Sequence, residues 1–226
     1  MATLLTLIIL TLFLLHLLRR PKRSSTRATP YRNKEEVVGS YGEQEALDTL
    51  RTLDGRNRIF SNLYLPTGEG TTTEVDLLWI CRQGIFVLEV KHYSGWIFAS
   101  ERNRYWTQVL KGGHKSRFYN PIWQNKAHIA ALRALLHPTY AGKYFNVIVF
   151  SDHCTLKDVS YHSAHTMIVQ QEGLSGYLKT MVASLPAIIS EERIDEISSR
   201  LAQYEDTAPH VYHEHIQSIE HTYRRH

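Results

Sequence analysis

Cysteine is scarce in this chain: Cys81 and Cys154 are the only two among 226 residues. That count does not fit the disulfide framework of a small secreted domain, so no disulfide is expected, and Cys81, inside an apolar run, reads as a buried thiol. There is no glycine-rich phosphate loop of the P-loop kind, no nucleophile elbow and no internal repeat. Those absences argue against a P-loop nucleotidase, an α/β-hydrolase and a solenoid, and no small-molecule cofactor is expected. Neither sign of charge dominates: 26 Lys and Arg face 22 Asp and Glu, for a formal charge of +4. With 43% apolar and 21% charged residues the chain suits a folded domain rather than long disorder. The length allows one domain with a sizeable core plus appendages.

The long apolar run is at the start. Ala2 to Leu18 carry no formal charge, with His16 and three threonines as the polar interruptions. At 1.5 Å per residue the run reaches about 25 Å, close to a hydrocarbon core of about 30 Å, and Arg19 and Arg20 can snorkel to the interface. It reads as a transmembrane helix over residues 1–19. A cleaved signal peptide would carry its charge before the apolar run and a small-residue site after it, whereas here RRPKR follows. Residues 20–36, basic and with Pro21 and Pro30, read as a linker, and the positive-inside rule keeps them and the domain beyond on the cytoplasmic side of the membrane. A His-rich tail, 206–226, has a spacing that matches no structural zinc pattern.

Between these lies a domain over 37–205. Apolar spacing predicts a helix over Val37–Leu53 and strands at Ile59–Leu65, Glu74–Arg82 and Ile85–His92, the last two joined by a Gln83-Gly84 turn. A second hairpin is expected at Trp96–Ala99 and Tyr105–Leu110. Asn120-Pro121 opens a helix to about Leu136, with Ile122, Trp123, Ala127, Ala130, Ala131, Ala134 and Leu135 as its inner face. Strands YFNVIVFS and HTMIVQ follow, then helices at about 172–183 and 190–203. The order implies an α/β sandwich, a mixed β-sheet flanked by helices on both faces.

The chemistry lies in the first hairpin. With a Gln83-Gly84 turn, Arg82 faces Ile85, Ile80 faces Val87, Leu78 faces Glu89 and Asp76 faces Lys91, all on one side of the sheet. Val75, Leu77, Trp79, Cys81, Phe86, Leu88 and Val90 take the other. Two carboxylates and an ammonium then gather at the open end of a hairpin that is otherwise apolar, which costs free energy unless the charges are compensated. A partly buried ion pair of Lys91 with Asp76 or Glu89 would compensate them. So would a hard divalent cation held by Asp76 and Glu89 against a phosphate, with Lys91 orienting the attacking water or stabilising the developing charge.

At these residues the chain resembles the PD-(D/E)XK nucleases and specifically the nuclease-related domain family. The residues are Glu74-Val75-Asp76, Gly84, Glu89-Val90-Lys91 and Tyr93-Ser94-Gly95, with Gly42-Glu43, the segment NLYLPTGEGTTTEVD, Trp106 and NPIWQN in the same order, over roughly 39–136. Val75 stands where the superfamily's name has proline. The resemblance implies a restriction-endonuclease-like fold, Mg²⁺ or Mn²⁺, and hydrolysis of DNA. It also makes Asp76 and Glu89 metal ligands and Lys91 the catalytic lysine. By resemblance alone, Glu43 adds an acidic group and Gln124 a polar one.

Lys111, Lys115 and Arg117, around a glycine pair and next to aromatics, are candidates for contact with a nucleic-acid backbone or belong to a solvated hairpin tip. Trp96, Trp106 and Trp123 read as core. A binding module that keeps the fold without turnover remains the alternative to an enzyme.

Overall fold

The computed structural model describes residues 34–67, 72–138 and 140–205. The N-terminal apolar run, most of the basic linker and the His-rich tail lie outside them. Among the described residues no helix is long and apolar enough to cross a membrane.

Helix α1 (Lys34–Arg51) leads into strands β1 (Asn57–Pro66), β2 (Thr72–Cys81) and β3 (Gly84–Lys91). Strands β4 (Gly95–Ser100), β5 (Tyr105–Val109) and β6 (Lys115–Tyr119) precede helix α2 (Pro121–Leu136). Strands β7 (Tyr144–Phe150), β8 (Cys154–Ser160) and β9 (Thr166–Gln170) are followed by helices α3 (Gln171–Ser184) and α4 (Glu191–Leu201).

The strands form two mixed sheets, one ordered β1-β2-β3-β7-β9 and the other β6-β5-β4-β8. The first is covered on both faces, which is why β3 and β7 read as unbroken apolar runs. Leu77, Trp79, Phe86, Leu88, Val147 and Val149 pack with Ala46, Leu50, Leu174 and Leu178 of α1 and α3 on one side. Leu78, Ile80, Ile85 and Val87 meet Leu132 and Leu136 of α2 and Ile194 and Ile197 of α4 on the other. The second sheet turns its inner face, with Ile97, Ala99 and Trp106, toward Ile148 and Phe150 of β7 and Ile122 of α2. An α/β fold was expected; the second sheet, with β6 and β8, was not, because their lengths and polar residues imitate hairpin tips.

The β2–β3 turn also differs. Cys81 pairs with Gly84, Ile80 with Ile85 and Leu78 with Val87, so Arg82 and Gln83 form the loop. Gly84 is needed as a strand residue: a Cβ there would lie 2.7 Å from the Phe145 ring and 2.9 Å from the Lys143 carbonyl oxygen. Each partner moves by two residues, which preserves the faces, since side chains alternate with a period of two.

Helix α2 is rotated from the expected inner face. Its buried residues are Pro121, Ile122, Asn125, His128, Ile129, Leu132 and Leu136, while Ala127, Ala130 and Ala134 face solvent. Polar anchors set that phase. Buried Asn120 accepts the Ile122 N–H at 2.9 Å as the helix cap and donates to the Asn103 carbonyl at 2.8 Å. Trp123 Nε1 donates to the Glu101 carbonyl at 2.8 Å, and Asn125 Nδ2 donates to the Val87 carbonyl at 2.7 Å. The helix start is therefore tied to the β4–β5 turn and its second turn to β3, which a count of apolar residues does not register.

Both cysteines are free and buried, which for Cys81 was expected. Burial pushes both thiols up, Cys154 to about 11, so neither offers a thiolate nucleophile at neutral pH.

Candidate active site at the open end of the first hairpin

The β1–β2 pair is kinked at the rung that carries Asp76. Ser61 pairs with Leu77 and Leu63 with Val75, but between them Asn62 takes a left-handed conformation with φ 51° opposite Asp76. Asparagine tolerates that region better than most residues. The alternation of both strands flips across the kink: Val75 and Leu63 join Leu78 and Phe60 on the α2 side. Strict alternation puts Val75 on the α1 side, and the kink overrides it.

The β2–β3 ladder stops at Leu77 and Leu88, one step short of Asp76 and Glu89. Beyond that rung the strands part, and Asp76 Oδ2 accepts the Val90 N–H at 2.8 Å. Asp76 therefore stands beside Glu89, and the direct Asp76–Lys91 opposition expected from the sequence does not occur.

Glu89 is 1% exposed and occupied on both oxygens. Lys91 Nζ donates to Oε1 at 2.5 Å, and His128 Nε2 lies 3.1 Å from Oε2. His128 Nδ1 in turn meets Thr73 Oγ1 at 2.7 Å, so α2 buttresses the carboxylate from behind. The sequence reading missed His128. Its signal was the four-residue spacing from Gln124, which places both on one face of a helix. Gln124 itself is half-buried, and no hydrogen bond from its side chain to Asp76, Glu89 or Lys91 is described.

Burial raises the Asp76 carboxyl well above the ordinary value, and the charges of Glu89 and then Glu43 raise it further, against the Val90 N–H and Lys91. The half-buried Glu43 of α1 is thus electrostatically part of the cluster. Gly42 lets its helix come close: a Cβ there would lie 2.9 Å from His92 Nδ1. Burial pulls Lys91 down, but Glu89, by charge and hydrogen bond, and then Asp76 more than offset this, so its pKa rises and the ammonium holds its proton at neutral pH.

Asp76, Glu89, Lys91 and Glu43 are brought together. Lys115 and Arg117 are carried by β6, and Lys111 lies in the turn before it. Trp106 is buried and Trp123 half-buried, but Trp96, read as core, is 52% exposed. Among the described residues no group of three or more His, Cys, Asp and Glu is arranged to hold a metal ion.

The family model for the nuclease-related domain matches residues 38–151, half of the chain. An uncharacterized protein of Bacillus anthracis is 34% identical over 137 residues, which is 60% of this chain and 63% of the relative, so the chain spans less than two thirds of that relative's length. No solved structure matches.

Proposed function

This chain belongs to the nuclease-related domain family, and from that premise we propose that it hydrolyses DNA phosphodiester bonds at the β2–β3 cluster with a divalent cation, Mg²⁺ or Mn²⁺. The observation that carries this reading is the meeting of Asp76 and Glu89 beside Lys91 where the two strands part, with Glu43 close enough for its charge to act on Asp76.

The donor set suits such an ion. Mg²⁺ takes oxygen ligands and is commonly held by one or two carboxylates while keeping several waters. Asp76 and Glu89 would hold it, with Glu43 adding negative charge. A carboxylate has about four lone-pair sites, so the contacts of Glu89 with Lys91 and His128 leave acceptor capacity. The crowding that raises Asp76 favours a positive charge among these groups. A bound divalent cation supplies a Lewis acid for a phosphoryl oxygen.

The chain's own residues do the rest. Lys91, protonated and oriented by Glu89, presents N–H donors to the charge that builds on the phosphate, and water exclusion strengthens that contact. His128 and Thr73 keep Glu89 from turning away. Lys111, Lys115 and Arg117 would meet the phosphate backbone of the same DNA. Gln124 would add a polar contact from α2. The apolar run at 1–19 would anchor the domain to a membrane as a single pass, with the basic linker and domain on the cytoplasmic side.

The test is cleavage of linear, supercoiled and single-stranded DNA by the full chain in mild detergent with Mg²⁺ or Mn²⁺. Activity that persists in Lys91→Ala and Glu89→Ala removes this site from the reaction. Protease protection on membrane vesicles tests the orientation. The closed ion pair of Glu89 with Lys91 favours a second reading, a DNA-binding tether without turnover, and binding without cleavage in every metal tried selects it.

A further inference from the structure

The outer face of the second sheet carries exposed rings that the hydrolytic site does not use, beside the Lys115 and Arg117 already assigned to the DNA backbone. Trp96 is 52% exposed, Tyr119 42%, Tyr105 41% and Phe98 39%. The register places them in rows. Trp96 pairs with Val109, which pairs with Lys115; Phe98 pairs with Thr107, which pairs with Arg117; Tyr105 pairs with Tyr119. Directly paired residues share a face, so these rings and cations look out together, while Ile97 and Trp106 look in. Cations lie over the rings as well. The Arg117 and Arg104 guanidinium carbons are 5.3 and 5.5 Å from the Tyr105 centroid, and Lys157 Nζ is 5.2 Å from that of Trp96.

Exposed large aromatics on a sheet need an occupant, and the interleaved cations indicate its charge. An apolar partner, whether a second copy or a lipid core, would have to desolvate Lys115, Arg117 and Lys157, which costs free energy. A polyanion with flat apolar groups satisfies both features at once. Spacing then separates single from double strands. Rings two residues apart on a strand, such as Trp96 and Phe98, lie about 6.7 Å apart, twice the 3.4 Å rise between stacked bases of a duplex. Bases can stack on these rings only when they are unstacked from one another. We infer that the outer face of the β6-β5-β4-β8 sheet binds single-stranded DNA, with bases on Trp96 and Phe98 and phosphates on Lys115, Arg117 and Lys157.

Trp96 is five residues beyond Lys91, which bounds their separation to about 18 Å along the chain. The platform thus lies within a few nucleotides of the carboxylates. It deepens the proposed nuclease reading by assigning a substrate with a single-stranded stretch, and it rests on that reading for the cleavage step but not for the binding step.

The experiment measures binding with hydrolysis silenced. The full chain in detergent with EDTA is titrated into a labelled oligothymidine and into a duplex of equal length, followed by fluorescence anisotropy. The single strand should bind at least tenfold tighter than the duplex. Trp96→Ala with Phe98→Ala should weaken it tenfold or more, as the loss of stacking on two bases implies. Trp96→Phe should restore most of the affinity, and Tyr177→Ala, an exposed ring on α3, should leave it unchanged.

Equal binding of both DNA forms, or full affinity in the Trp96→Ala/Phe98→Ala protein, overturns the platform. So does sedimentation showing that this double substitution dissociates a dimer, or flotation showing that it releases lipid vesicles, while oligonucleotide affinity stays at the wild-type value. Hydrolysis of bis(p-nitrophenyl) phosphate with Mn²⁺ keeps the two readings apart. Platform variants should retain it and Glu89→Gln should lose it, so failure of either leaves the other standing.

Discussion

The two sheets solve opposite problems. The five-stranded sheet is sealed between helix pairs, and the charges it holds, Asp76 and Glu89, sit at the point where two strands part and are compensated by Lys91, His128 and a backbone N–H. The four-stranded sheet is covered on one side only and places its aromatic rings and cations on the other. Burial makes a carboxylate reactive because desolvation raises the energy of its charge. Exposure makes a ring adhesive because a flat partner can reach it. The proposed reading uses both properties, and this fold carries them on different sheets joined by the short link from Lys91 to Gly95.

The largest test of that division concerns turnover. Glu89→Gln and Lys91→Ala should each lower DNA cleavage about 10³-fold, in the range seen when one preorganised charge-stabilising group is lost. Oligonucleotide binding in EDTA should stay within about twofold, because the binding face is on the other sheet. Loss of both functions together would merge the two regions. Conversely, Lys115→Gln with Arg117→Gln should reduce the slope of log affinity against log salt by about 1 to 2 with turnover of a small phosphodiester intact, since each removed phosphate contact contributes about 0.7 for single strands.

Stability provides finer tests. His128→Ala leaves a Glu89 oxygen and the Thr73 hydroxyl without their partner in a buried setting, and urea denaturation should show a loss of about 2 kcal/mol. In the β4–β5 turn, burial pushes the Glu101 carboxylate up, but N–H groups of His162 and Ser163, Lys126 and the Ser163 hydroxyl together hold it down to about 2. Its stabilising contribution is present above about pH 4.5, the unfolded value, and is lost as pH falls toward 2. Glu101→Gln should therefore cost about 2 kcal/mol at neutral pH, an amount discounted for solvent screening, and flatten the acid limb of the stability curve.

Asp76 has the opposite sign. Its folded carboxyl is raised, so its ionisation opposes folding, and stability is lost as pH climbs from about 3.8 through the folded value. Asp76→Asn should raise the midpoint of thermal unfolding at pH 7, by the equivalent of about 1 kcal/mol, while abolishing cleavage. A fall in stability would mean that its bond to Val90 outweighs the desolvated charge.

The core of the first sheet was readable because strands buried on both faces leave nearly continuous apolar runs, as in VDLLWIC and IFVLEVK. Asp76, Glu89 and Lys91 stood out as charges in those runs. Asn125 and His128 did not, since a polar residue on a helix looks the same in sequence whether it faces water or a carboxylate. Trp96 was read as core because nothing in the sequence marks an exposed ring. Its exposure follows from which face of a half-covered sheet it occupies, and that is set by elements far away in the chain.

By itself the sequence determined the α/β pattern and the charged hairpin, because these rest on local period and short spacing, and it carried the ordered motifs by which the chain resembles the nuclease-related family. Tertiary structure decided the register of that hairpin, the kink at Asn62 that turns Asp76 beside Glu89, the buttress from His128 and the open aromatic face. Each of these depends on contacts between residues distant in sequence: Gly84 is fixed by Phe145 and Lys143, Glu89 by a helix some forty residues on, and the second sheet by β8 pairing with β4. Local preference is too weak to choose among the alternatives until packing against those partners selects one.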